Sequence, residues 1–324
     1  MESSRPAGTT LGLLMFVVLV NNTANPGIQR DWGELLSAPL SRRKPLKMTH
    51  GKFIDDVSVA EAIDMDKILK PQDEQYWTRP LVRRSRYELA VPERDNMTTA
   101  ELGKIMEYAK KHYMKINIKK TKVVMLNPTR RGIDFQPVIK LDGNVLEVIQ
   151  QIRLVGFILS DDLSWKKNTE SLVTRAYNKM WILRRLKALG ASKKILRLVY
   201  FQHIRSIVEF GAPAWNSAIS MIESRKLERV QKVALRLIYG KIISYTKLLQ
   251  ISKLDTLANR REKLCLNFAK KAVQHPKFRH WFKQVNPGQP TNRAKYAEST
   301  SRQKRLLNSP IPYFIKSLNK NNGH

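Results

Sequence analysis

From Trp165 onward, apolar residues recur at intervals of three and four, and this periodicity constrains the fold more than any other feature of the chain. Residues spaced in that way share one face of an α-helix. The first stripe is Leu172, Val173, Ala176, Met180, Leu183 and Leu186, stopped by Gly190. The second is Ile195, Leu196, Val199, Tyr200 and Ile204, ending near Gly211-Ala212-Pro213. Leu227, Val230, Ala234, Leu237 and Ile238 form a third that stops at Gly240. A fourth runs from about Leu254 to Val273 through Leu257, Leu264, Phe268 and Ala272. Such faces are stable only when buried against one another, so a helical domain is expected from about 161 to 283.

The opposite faces of these helices are basic. Arg184, Arg185, Lys193, Lys194, Arg260 and Arg261 are the candidate phosphate contacts, with Arg229, Lys232 and Arg236 on the third helix. A solvated surface is the ordinary meaning of such charges. One sign repeated on successive helices points instead to a groove that tracks phosphates. The whole chain agrees: 59 Lys and Arg oppose 27 Asp and Glu, a net charge of +32. Self-repulsion of that size calls for a polyanionic partner, of which nucleic acid is the commonest. An anionic membrane fits less well, because no Lys/Arg block adjoins an apolar anchor. After Pro276 the chain is polar, basic and interrupted by proline, so 284–324 reads as a basic, disordered tail.

The first half mixes strand and helix signals. Apolar spacing at Leu102, Ile105, Met106 and Ala109 follows a possible cap at Thr98 or Thr99, which predicts a helix. Lys122 to Leu126 reads as a strand, and so does Ile152 to Leu159 after the Asp142-Gly143 turn signal. Residues 25–50 and 71–96 look irregular. Leu11 to Val20 is a ten-residue apolar run, too short to span a bilayer as a helix. Its length suits a signal-peptide core within 1–24, but Glu2 offsets Arg5 and no small-x-small cleavage site follows. A single cysteine, Cys265, allows no internal disulfide and fits a reducing compartment, and with His275 and His280 it leaves a zinc site one ligand short.

Asp55 and Asp56 follow Phe53-Ile54 and precede Val57-Ser58-Val59, which places two carboxylates at a tight turn between short strands. Alone, such a pair reads as a solvated turn. If the pair is crowded, cations must compensate the two like charges, as in a metal site for phosphoryl transfer.

Taken in order, the segments resemble the reverse transcriptase of non-LTR (LINE-type, jockey-like) retrotransposons. Arg5-Pro6-Ala7-Gly8-Thr9-Thr10-Leu11-Gly12-Leu13-Leu14-Met15-Phe16 is similar to that family's PQG-x-x-LGP-x-LF box, and Val20-Asn21-Asn22 to the I-N-D that closes its helix. Phe53-Ile54-Asp55-Asp56 resembles the F/Y-x-DD box. Met114 to Lys122 resembles M-x-L-N-x-x-KTK, and Leu154-Val155-Gly156-Phe157-Ile158 the strand that supports the primer terminus. Asp162-Leu163-Ser164-Trp165, Leu183-Arg184-Arg185-Leu186, Val208 to Trp215, Glu228 to Lys232 and Asn259-Arg260-Arg261 are similar to elements found downstream of these polymerase domains.

The resemblance implies an α+β fold: an incomplete polymerase palm over 1–160, with an irregular insertion about 23–50 and a loop about 71–97, then a helical thumb-like domain over 161–283. It implies RNA-directed DNA polymerase chemistry on an RNA or DNA template-primer with dNTP, in the nucleus or cytoplasm. Asp55 and Asp56 would hold Mg²⁺, and Lys120 would assist pyrophosphate departure. Gly8, Thr9 and Gly12 would lie beneath nucleotide and template, and Leu154 and Gly156 would support the primer. The family's further metal-binding aspartate precedes the PQG-like box, and in this sequence Met1 already adjoins that box. The expectation is therefore a truncated polymerase, inactive alone, or else a non-enzymatic nucleic-acid-binding remnant. A secreted basic protein led by Leu11–Val20 is the third possibility.

Overall fold

The computed structural model describes residues 14–21, 49–53, 56–63, 97–113, 116–126, 138–285, 295–299 and 307–321. The fold is mixed α+β, mostly helical, with small sheets. It divides into two compact units, Met1–Leu163 and Ser164–His324.

The first unit is built on a five-stranded sheet of β1 (Leu14–Asn21), β2 (Thr49–Phe53), β3 (Asp56–Ile63), β4 (Lys122–Leu126) and the two-residue β7 (Glu147–Val148). Their order is β2-β3-β1-β4-β7, antiparallel except for the last pair. The resemblance implies a helix after the Gly8–Gly12 segment; the structure forms the central strand there instead. Val17, Val18 and Val20 explain the outcome, since β-branched side chains are restricted in a helix and pack well on a pleated surface. A continuous apolar run is also what a strand paired on both edges can present.

Helix α1 (Met97–Lys111) buries Leu102, Ile105 and Ala109, as their spacing predicts. β5 (Lys140–Leu141) and β6 (Asn144–Val145) make a hairpin whose turn is Asp142-Gly143, with φ of 52° and 76°. Ile152 to Leu159 is a second hairpin, not one strand: β8 (Gln151–Leu154) pairs with β9 (Phe157–Ser160). Val155 and Gly156 make its two-residue turn, both at positive φ, 48° and 86°. This is the geometry that matches strand twist in tight hairpins. Val124, Leu126 and Ile152 form a small core beside Leu154 and Leu159.

The second unit is a helical assembly. It comprises α2 (Lys166–Ala188), α3 (Lys193–Val199), a π-helical turn Tyr200–Arg205, α4 (Ser206–Glu209), α5 (Ala212–Trp215), α6 (Met221–Tyr239), α7 (Tyr245–Ser252), α8 (Leu257–Gln274) and α9 (Pro310–Asn321). Gly190 and Gly240 follow the helices they were expected to stop, at φ 77° and 135°. Helix α6 starts on a capping box: Ser220 Oγ accepts from the Glu223 N–H, and the Ser220 N–H donates to Glu223 Oε2 at 2.6 Å.

Two expectations need correction here. The inward face of α8 is Leu257, Arg261, Cys265, Ala269 and Ala272, whereas Phe268 is partly exposed. The stripe is rotated because positions four apart, not the largest apolar residues, meet the neighbouring helices. The tail from 284 was expected to be disordered. Instead α9 packs Phe314, Ile315 and Leu318 against Cys265, Ala269 and Ala272, together with Phe282 and Tyr296. Asn319 holds the strand-like segment beside it, accepting from the Tyr296 N–H at 3.0 Å and donating to the Tyr296 carbonyl at 2.9 Å. Four apolar residues within Ile311 to Ile315 supply the helical face that the basic composition hid.

Candidate nucleic-acid interface

Helix α6 presents its core face through Leu227, Val230, Ala234, Leu235 and Ile238, all buried. Arg225, Arg229, Lys232 and Arg236 are spaced four, three and four residues apart, so they form one row along a different face. At 1.5 Å per residue the row is about 16 Å long. Together with Glu228, Val233 and Tyr245 these four cations line an open cleft of about 530 Å³. Arg225, Arg229 and Lys232 make no ion pair or side-chain hydrogen bond among the described residues, and Arg236 Nε is enclosed without a partner. The sequence stripe contained Arg229, Lys232 and Arg236; Arg225 was missed, although its position four before Arg229 signals it.

The one acid in the cleft does not neutralise the row. Glu228 Oε1 accepts from the Tyr245 hydroxyl and from the Leu257 N–H at 3.2 Å, and Oε2 accepts from the Ala258 N–H at 3.3 Å. Its carboxylate thus caps the positive end of α8. Behind it, Gln231 donates to the Tyr245 hydroxyl and to the Asp255 carbonyl, both at 2.9 Å, and accepts from the Tyr200 hydroxyl at 2.6 Å. Burial raises the pKa of Tyr200 and Tyr245 above 10.0, and for Tyr245 the Glu228 hydrogen bond adds to it. Both phenols are therefore neutral donors.

The other candidate contacts separate into two groups. Arg184, Arg185, Lys193 and Lys194 are exposed where α2 turns into α3. Arg261 is not on the surface: it is 1 % exposed. Its Nε donates to Asn216 Oδ1 and its Nη2 to Ser224 Oγ, each at 2.8 Å, and the guanidinium lies 5.8 Å from the Trp215 ring centroid. A phosphate cannot reach it without unfolding that cluster. Arg260 Nε pairs with Glu209 Oε1 at 3.3 Å, and Arg205 shares the same carboxylate. Both residues hold α8 to the preceding helices, and neither extends the cationic surface freely.

In the first unit, Gly8, Thr9, Gly12 and Asp55 lie outside the described residues. Asp56 opens β3, opposite Phe53 on β2 and Asn21 on β1. Lys120 is exposed at the end of a 3₁₀ turn, Ile118–Lys120, that Asn117 caps through its Oδ1. Because Leu19 pairs with Lys122, this turn and Asp56 reach the same end of β1 from its two sides. Leu154 and Gly156 sit in the separate β8–β9 hairpin. A Mg²⁺ cage is not assembled by what is described: β1, β2 and β4 carry no carboxylate, and the described residues hold no cluster of three acidic, His or Cys side chains. Mg²⁺ needs near-ideal octahedral oxygen ligation, which one hairpin does not supply. Among the described residues, no helix is long and apolar enough to cross a membrane.

No protein-family model, no curated protein and no solved structure matches the chain.

Proposed function

We propose that this protein binds nucleic acid through the basic row of α6, with RNA or DNA phosphates lying along the cleft. The unpaired cations Arg225, Arg229 and Lys232 carry this reading, because a row of like charges facing a single carboxylate, that of Glu228, already engaged by the α8 N-terminus, is costly unless an anion meets it. Phosphates along a strand recur every 3.4 Å of duplex axis, so about 16 Å of helix faces several of them. Binding of this kind is sequence-tolerant and falls steeply with salt. Replacing Arg225, Arg229 and Lys232 together by Ala should lower affinity at least tenfold at low salt and flatten the dependence on salt, as followed by fluorescence anisotropy with a labelled strand. Unchanged affinity and slope in that variant would refute the assignment.

A second reading, a reverse-transcriptase fragment of non-LTR retrotransposon type, is supported by the motif order and by the common sheet end of Asp56 and the Lys120 turn. On that reading the chain alone does not extend a primer, since β1, β2 and β4 bring no carboxylate to join Asp56. Template-dependent incorporation of dNTP by purified protein, abolished by Asp55→Ala, would overturn it.

A further inference from the structure

We propose that Trp181 is a stacking platform for an unpaired base, so that the helical unit binds single-stranded nucleic acid in preference to duplex. The inference rests on the nucleic-acid reading above but uses a different helix. The inward face of α2 is Leu172, Ala176, Met180 and Leu183, each 1 % exposed or less. Trp181 follows Met180 by one residue, about 100° around the helix, and is 60 % exposed. An indole buries 150–250 Å² in a core, so leaving it in water forgoes a large apolar gain.

Its neighbours indicate what covers it. Asn178 lies one turn before Trp181, and Arg184 and Arg185 lie one turn after; all three are exposed. The two arginines have no side-chain partner among the described residues. Residues three and four apart on a helix share a surface, so the apolar plane sits beside two unpaired guanidinium forks. A nucleotide fits this pairing: its base stacks on the indole face and its phosphate meets the forks. A protein partner needs apolar area beyond one ring, and the positions three and four residues away are exposed Asn178, Arg184 and Arg185 with only the half-buried Tyr177 beside them. A duplex keeps its bases stacked on each other and offers the ring nothing.

The test compares full-length protein with Trp181→Ala and Trp181→Phe, using a labelled oligo(dT) strand and a labelled duplex of equal length in an anisotropy titration. Trp181→Ala should lose roughly tenfold in affinity for the strand, leaving duplex affinity and the salt slope unchanged. Trp181→Phe, which keeps an aromatic face, should retain most of the parent's affinity. Equal affinity of Trp181→Ala and parent for the strand overturns the proposal. So does an equal loss on strand and duplex, or a change in sedimentation showing that the ring covers a second copy of the chain. If the parent binds neither polymer, the nucleic-acid reading itself falls. If the parent binds and Trp181→Ala is silent, only the stacking role falls.

Discussion

Arg261 shows how far a residue's environment can depart from its charge. Its guanidinium is buried, and desolvation by burial lowers its pKa, opposed by Glu228, Glu262 and Glu209 nearby. Arg261→Met should cost about 3 kcal/mol, because Asn216 and Ser224 are left without their donor. Thermal unfolding of the variant measures it, while Arg184→Ala should leave the midpoint almost unchanged. Tyr200, Tyr245 and Cys265 make a pH-dependent counterpart. Burial holds both phenols protonated above 10.0 and pushes the Cys265 thiol from 9.0 up to about 11. The folded state then binds these protons more tightly than the unfolded state. Their stabilisation is complete below pH 9 and is lost as pH rises through 10 and beyond. The unfolding midpoint should accordingly fall above pH 9, and Tyr245→Phe should flatten that fall while costing about 1 kcal/mol at pH 7.

Among the elements, the β8–β9 hairpin carries a local conflict. Val155 occupies the first turn position at φ 48°, a left-handed conformation that a β-branched side chain adopts only under strain. Asn-Gly is the favoured pair for this turn. Val155→Asn should therefore stabilise the first unit by about 1 kcal/mol, read from its denaturant midpoint; a loss of stability would mean the Val155 side chain packs usefully where it is 42 % exposed. The apolar strand β1 teaches the complementary lesson. Its composition suited a helix as well as a strand, and pairing with β3 and β4 on both edges makes it a strand.

On the scale of the whole molecule, α9 closes the helical unit. Phe314 is 2 % exposed and packs against Phe268 at a ring-centroid distance of 5.4 Å. Phe314→Ala should cost about 3 kcal/mol and lower the thermal midpoint, which a disordered tail would not do. The net charge of +32 acts at the same scale. It favours contact with polyanions over long range and makes every affinity dependent on salt, so strand and duplex must be compared at one ionic strength.

The amino-acid sequence alone determined the helical stripes of α2 and α6, their glycine stops, the hairpin turn at Asp142-Gly143 and the excess of basic charge. Each of these depends on neighbours within a turn or two, or on summed composition, and local spacing reports them directly. Tertiary structure decided what spacing cannot. It turned Arg261 inward, in line with Leu257 and Cys265 four residues to either side, and left Trp181 outward although it adjoins the buried Met180. It also engaged Glu228 with the α8 N-terminus and gave the apolar residues of α9 a core to complete. The reason is physical: burial and hydrogen-bond satisfaction are properties of residues far apart in sequence, and a helix's rotation about its axis is set only when its neighbours pack.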